Sequence, residues 1–179
     1  QSKIKQQISE YHLGYILGPR INAGGRMGES LLGYSLLSSD NIHQALQLAQ
    51  IIESHNQNRQ NIQTKVIKSI NLKESEDKNI NFFFDKKWHI GIVGIIAGRL
   101  MRQNNKPSFV MTSSNEFVVG SGRSLGEKNI GQLMMNAAEK GIIIKGGGHA
   151  KACGFTLRED QIPDFKAYLY EETKNISIN

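Results

Sequence analysis

The chain has a single cysteine, Cys153, in 179 residues. One thiol cannot close an internal disulfide, and within one chain it cannot build a cysteine cage around a metal. Other metal-ligand spacings are missing as well. His12, His43, His55, His89 and His149 stand in no H-x-x-x-H or H-E-x-x-H pattern, and no D-x-D or carboxylate pair follows a predicted strand. A self-contained metallohydrolase is therefore not expected. Long apolar runs are lacking too: the longest, Ile90 to Gly98, falls far short of the roughly 20 residues a membrane span needs. With no charged-then-apolar leader, the expectation is a soluble, cytoplasmic protein with no membrane partner. The first residue is Gln1 rather than methionine, which reads as a piece cut from something longer. Aromatics make up only 7% of a chain that is 39% hydrophobic, enough for one good core plus a helical extension.

Acidic residues are scarce in one region. Lys86 to Lys151 holds ten Lys/Arg against three Asp/Glu, whereas Ala152 to Asn179 holds three against five, within a formal net charge of +6. Such a local basic excess favours a polyanionic partner through steering and counterion release, although many ordinary domains are as basic.

Element signals alternate along the chain. Leu13 to Gly28 reads as an ordered loop, because Gly14, Gly18, Pro19, Gly24, Gly25 and Gly28 interrupt any period. Leu31 to Leu37 makes a short helix, and Asp40 is placed to cap a long one. In that long helix Ile42, Ala45, Ala49, Ile52, Val66 and Ile70 form an apolar stripe, broken by Asn56, Arg59 and Gln63. The charged segment Lys73 to Asn79 marks a boundary. Strands are expected at Ile80 to Phe84, Ser108 to Thr112, Glu116 to Gly120, Ile142 to Ile144 and Cys153 to Leu157. Helices are expected at Gly91 to Gln103 and Asn129 to Lys140, and in a last amphipathic segment capped by Asp160. The fold class is thus α/β: a mixed sheet of about five strands flanked by helices and preceded by a long connecting helix.

Four clusters could carry chemistry. Arg20, Asn22 and Arg26 stand on glycine-punctuated backbone, and the planar guanidinium fork suits phosphate oxygens; a plain surface loop is the alternative. Trp88 and His89 precede a helix start, where an anion can sit and an aromatic can stack on a base; a core tryptophan beside a surface histidine fits equally. Gly120 to Ser124 brings Ser121, Arg123 and Ser124 together as a small phosphate cradle leaving a strand. Gly120, Gly122 and Gly126 miss the dinucleotide-binding spacing by one residue, and Ser121 lacks a G-x-S-x-G elbow. Gly146, Gly147 and Gly148 lead to His149 and Lys151. Three consecutive glycines imply a conformation or a close approach that side chains forbid, and His149 could donate to a phosphate or a leaving oxygen. Cys153, four residues after His149, is a poor nucleophile candidate because a strand begins between them. Taken alone, the residues describe a phosphate- or nucleic-acid-binding module with no complete active site.

In this order and spacing the clusters resemble the RecJ branch of the DHH phosphoesterase superfamily. The matching segments are Leu17-Gly-Pro-Arg-Ile-Asn-Ala-Gly-Gly-Arg-Met27, the helix with Asn56 and Arg59, Trp88-His-Ile-Gly-Ile-Val-Gly-Ile-Ile-Ala97, Gly120-Ser-Gly-Arg-Ser124 and Gly146-Gly-Gly-His-Ala-Lys-Ala-Cys-Gly-Phe155. The resemblance implies residues 1–74 as the end of a DHH domain with its helical connector, and residues 75–179 as a DHH-associated nucleic-acid-binding domain. It implies 5′-to-3′ exonuclease action on single-stranded DNA, in DNA repair and recombination, with two divalent metals, manganese or magnesium. Their ligands would lie upstream, so the chain alone is expected to be inactive. Ser121 and Arg123 would match the pocket for the 5′ phosphate end. The Gly146 to His149 segment would face the scissile phosphate, with Arg20, Asn22 and Arg26 at the seam between domains. Asn56 and Arg59 would face the DNA channel. Ile90 stands where the family usually has proline, and Gly25 and Cys153 where alanine is common. No oligonucleotide-binding fold is visible after the last helix. A single-strand-binding protein or a helicase is an expected partner. Two alternatives remain: a phosphoesterase of short oligonucleotides, and a non-catalytic module like the related domain of some tRNA synthetases.

Overall fold

Residues 7–70, 79–126 and 128–174 are described by the computed structural model. They divide between Lys65 and Val66 into two compact units. The expected boundary segment Lys73 to Asn79 lies, except for Asn79, outside the described residues.

The first unit is helical. After a wide helical turn at His12–Leu17 come α1 (Gly18–Ile21), α2 (Ala23–Arg26), α3 (Leu32–Leu37) and the start of α4 (Ile42–Ser69). The expected loop at Leu13 to Gly28 is therefore wrong: this stretch winds into short helices. Two of its glycines, Gly18 and Gly24, are closely packed, while Gly28 holds φ 98°. A Cβ on Gly24 would stand 2.6 Å from the Glu29 carbonyl oxygen, and one on Gly33 2.9 Å from Ile21. Pro19 occupies the first turn of α1, where its missing N–H has no partner to lose. The cap of α4 is also reassigned. Asn41, not Asp40, accepts hydrogen bonds through Oδ1 from the N–H groups of His43 (2.9 Å) and Gln44 (3.2 Å). Several large apolar residues of this unit stay exposed, among them Tyr15, Leu31, Tyr34, Leu37 and Ile42.

The second unit is a five-stranded sheet with helices on both faces. β1 (Asn81–Phe84) pairs in parallel with β2 (Ser108–Ser114), and α5 (Ile90–Asn104) supplies the crossover that a parallel pair requires. β2 turns at Asn115, which holds φ 55°, into antiparallel β3 (Phe117–Arg123). α6 (Ile130–Glu139) follows, capped by the Asn129 side chain. β4 (Lys145–His149) and β5 (Ala152–Leu157) form a hairpin, and α7 (Ile162–Thr173) closes the described chain. Strand order is β1-β2-β3-β5-β4, leaving β4 on an edge.

The core lies under α6 and α7. Phe109, Met111, Phe155, Leu157, Met134, Phe165 and Leu169 are buried there, and the Phe155 and Phe165 rings tilt together at 4.9 Å. Three expectations fail here. Ile142 to Ile144 is not a strand; Ile143 is buried from a bend, and the strand is the glycine run itself. Gly120 to Arg123 does not leave a strand but completes β3. Asp160 does not cap α7; it pairs with Arg158 at 3.3 Å, and the helix start at Gln161 has no side-chain cap. Glycines conceal strands in the first two cases because they lack the β-branched signal by which strands are recognised. Their cause is packing. A Cβ on Gly120 would meet the Phe155 ring at 2.3 Å, and one on Gly122 would meet Cys153 Sγ at 2.5 Å.

Candidate nucleic-acid interface

The pleat sorts β5 cleanly, since successive side chains point to opposite faces. Cys153, Phe155 and Leu157 turn into the core, while Ala152, Gly154 and Thr156 between them stay accessible. Register carries this sorting across the sheet. Ser121 opposes Gly154, which opposes Gly147; two residues along, Arg123 opposes Ala152, which opposes His149. In the other direction Val119, Thr156 and Lys145 form a third row. On this face α5 packs over β2 and β3, while α6 contacts β4 and β5 from the core side. The β5–β4 half of the face is left bare: Gly154 is exposed although its strand is second from the edge.

The result is a shelf. A Cβ on Gly147 would find only Met135 Cγ at 4.0 Å, and one on Gly154 only the Gly120 oxygen at 3.9 Å. These two glycines give the shelf a floor of bare backbone, which a phosphate or sugar can approach closely. Around it stand Arg123, His149 and Lys145, with Lys151 exposed in the hairpin turn. No Asp or Glu occurs in β3, β4 or β5. Arg123 and His149 sit two strands apart on one row, a backbone separation of roughly 10 Å.

Arg123 is held for this position. Its Nη1 donates to Ser121 Oγ (2.9 Å) and to the Gly122 carbonyl oxygen (2.7 Å), and Ser121 Oγ donates to the Cys153 carbonyl oxygen (3.2 Å). Its Nε and Nη2 have no partner among the described residues, so the fork still has donors to offer an anion.

The remaining expected site residues of this unit divide between the shelf and the fold. Gly147 and Lys151 join Ser121, Arg123 and His149 at the shelf. Gly146 and Gly148 belong to the fold: a Cβ on Gly146 would press on Ile143 (2.8 Å) and Met134 (2.9 Å), and Gly148 holds φ 150°, where a Cβ would fall 2.3 Å from the Ala152 oxygen. Ser124 is buried and builds the turn, its N–H donating to the Lys151 oxygen and its Oγ accepting from the Gly126 N–H. His89 caps α5 through Nδ1, which accepts from the Gly91 N–H at 3.0 Å, and half-buried Trp88 accepts from Thr112 through its carbonyl oxygen. These two follow a turn after β1 rather than ending the strand itself. Sequence spacing missed Gly154, Thr156 and Lys145. Reading Ala152 to Leu157 at period two, apolar in and small or polar out, is the signal that could have found the first two.

Cys153 lies behind the shelf, in the core. Burial pushes its thiol up from an ordinary 9.0 to about 12, so it is no nucleophile at neutral pH.

The first unit holds the other cluster. Arg20 donates through Nε to Glu53 (2.9 Å) and through Nη1 to the Ile16 oxygen (2.8 Å); Asn22 and Arg26 are exposed. On α4, Arg59 donates to Asn56 Oδ1 (2.8 Å) and Gln63 Oε1 (3.2 Å). Both Asn56 and Arg59 are buried, yet Asn56 Nδ2 and Arg59 Nε have no hydrogen-bond partner among the described residues. Burial, then the charges of Arg26 and Arg20, hold Arg59 below the usual arginine range. Two orphaned donors among three arginines are costly unless an anion or another acceptor meets them.

Among the described residues no three His, Cys, Asp or Glu side chains come together to hold a metal. No helix among them is long and apolar enough to cross a membrane.

The chain is similar to known proteins in sequence and fold. The DHHA1 domain model matches residues 76–175. The single-stranded-DNA-specific exonuclease RecJ of Escherichia coli (strain K12) is 33% identical over 175 residues, covering 90% of this chain and 30% of its own length. RecJ of Dickeya dadantii (strain 3937) is 30% identical over 170 residues, covering 89% and 30%. The crystal structure of RecJ from Thermus thermophilus in complex with Mn2+ superposes with a TM-score of 0.84 at 24% identity, over 93% of this chain and 25% of that one. The chain thus spans about three tenths of the length of the curated relatives it matches.

Proposed function

The chain belongs to the DHHA1 domain family, and from that premise we propose that it is the substrate-gripping part of a 5′-to-3′ single-stranded-DNA exonuclease. The observation that carries the reading is the shelf: Arg123 braced by Ser121 at its head, a side-chain-free floor at Gly154 and Gly147, and His149 on the same row. Arg123 and Ser121 take the 5′ phosphate. The strand then runs over the glycine floor toward His149, which donates a hydrogen bond to the next phosphate. Lys145 and Lys151 add sequence-independent attraction. Bare backbone at the floor suits any base, as an enzyme that must pass every sequence requires.

In the first unit, Arg59 Nε and Asn56 Nδ2 find acceptors on the nucleic acid, with Arg20, Asn22 and Arg26 beside them. Residues 1–74 are the end of the DHH domain and its connector, a reading supported by the exposed Tyr15, Leu31, Tyr34 and Leu37, which a further part of a longer protein would cover. Among the described residues no cluster of His, Cys, Asp or Glu could hold a divalent metal. In the whole protein manganese or magnesium would activate water on the phosphodiester, and this chain would orient the strand. By itself the chain binds and does not cut. The same reading places the whole protein in the cytoplasm, in DNA repair and recombination, in contact with a single-strand-binding protein or a helicase.

The test is binding of the chain to single-stranded DNA, duplex DNA and a folded RNA of equal length. Preference for the single strand, weakening steeply with salt, is expected. Preference for folded RNA would instead make the chain a non-catalytic RNA-binding module.

A further inference from the structure

Gly94 lies in the second turn of α5, against the two polar groups at the head of the shelf. A Cβ there would stand 3.1 Å from Nη2 of Arg123, 3.1 Å from Oγ of Ser121 and 3.5 Å from Ser121 Cβ. One turn on, Gly98 faces the same arginine lower on its stem. Its Cβ would meet only Arg123 Cγ and Arg102 Nη1, each at 3.8 Å, which is ordinary contact. Both glycines sit inside one helix and weaken it equally relative to alanine. Only one of them makes room for the guanidinium.

We propose that Gly94 is a positioning residue for the end grip: its missing side chain lets the Arg123 guanidinium lie against Ser121 with donors left over for a phosphate. The inference rests on the phosphate-gripping reading of Arg123. A methyl group at position 94 meets the far end of a flexible arginine and a serine hydroxyl, not backbone. The fold therefore accepts it, and the guanidinium and the Ser121 hydroxyl give by a few tenths of an ångström, which misaligns the hydrogen bonds from Arg123 to Ser121 and Gly122. Relative to alanine, then, position 94 gives up helix propensity for the geometry of a neighbouring strand.

The experiment compares Gly94→Ala with Gly98→Ala on the full chain. Fluorescence anisotropy gives affinities for single strands carrying a 5′ phosphate or a 5′ hydroxyl, and the ratio of the two is the readout. Gly94→Ala is expected to lower that ratio toward one, by roughly tenfold if one charge-assisted hydrogen bond is lost. Affinity for the hydroxyl end stays unchanged, and Gly98→Ala keeps the full ratio. A merely structural glycine would move both affinities together. In an Arg123→Ala background, where the vacated space receives the methyl group, Gly94→Ala is expected to change the ratio no further. The inference is overturned, with the grip reading intact, if Gly94→Ala keeps the ratio, fails to fold, or lowers the ratio again without Arg123. If the unaltered chain shows a ratio of one, the grip reading and the inference fail together.

Discussion

Replacing the glycines of β4 one at a time separates fold from function. At Gly146 a Cβ would lie 2.8 Å from Ile143 Cδ1, 2.9 Å from Met134 Cβ and 3.3 Å from the Met134 oxygen. Three contacts that tight, with α6 behind them, make Gly146→Ala an overpacking change of about 2 kcal/mol. For a domain of this size that lowers Tm by about 10 °C. Gly148 is worse placed: its φ of 150° is one that L side chains rarely adopt, and a Cβ would fall 2.3 Å from the Ala152 oxygen and 2.7 Å from Cys153 Cα. Backbone cannot yield as a side chain does, so Gly148→Ala costs about 3 kcal/mol or more. Gly147→Ala meets one side-chain atom at 4.0 Å and leaves stability within about 0.5 kcal/mol. Its methyl group stands on the floor of the shelf, where losing one neutral hydrogen bond to the strand weakens affinity roughly fivefold. Thermal melts and single-strand binding on the three variants are the assay. The reasoning is refuted if Gly147→Ala unfolds the chain like its neighbours, or if it melts normally and binds DNA as tightly as before.

Further outcomes follow from the same geometry. Arg59→Met removes a buried, partly unpartnered charge repelled by Arg26 and Arg20. Melting temperature should hold or rise while single-strand affinity falls and the salt slope shrinks by about 1; a fall in stability with unchanged binding contradicts this. Cys153 should resist alkylation in the native chain at pH 8 and react once unfolded. Because its folded value is raised from 9.0 to about 12, the unfolded state loses this proton first. The stability held below pH 9 is therefore lost progressively as pH rises to 12, a slope that a Cys153→Ala variant should lack.

The strand-helix-strand start, α6 and the buried strand at Cys153 were legible in the sequence because each carries its own period and its own punctuation. Asn129 before an apolar helical pattern, and alternation through Phe155 and Leu157, are local signals. Apart from the helix caps, much of what stayed hidden was hidden by glycine. Gly122 and Gly146 read as loop because the reason for each is a partner distant in sequence, Cys153 and Met134 respectively. A propensity argument sees a missing side chain but not the partner that requires it missing. Within Leu13 to Gly28, Gly24 leaves room for the Glu29 oxygen and the Leu32 side chain. The candidate site residues divide by position in the fold. Arg123, Ser121, Gly147 and His149 do meet on one face, but only register could separate Gly147 from Gly146 and Gly148, or bring in Gly154. His89 and Ser124, polar residues at element junctions, turned out to cap and to turn the chain.

The central claim is that the head of the shelf grips a 5′ phosphate, and the direct test is affinity for 5′-phosphorylated against 5′-hydroxyl single strands, with and without Arg123→Ala. One charge-assisted contact is worth about tenfold or more. The unaltered chain is expected to prefer the phosphate end by at least that factor, and the substitution to erase the preference while leaving hydroxyl-end affinity nearly intact. Equal affinity for both ends, or a preference that survives loss of Arg123, would contradict it.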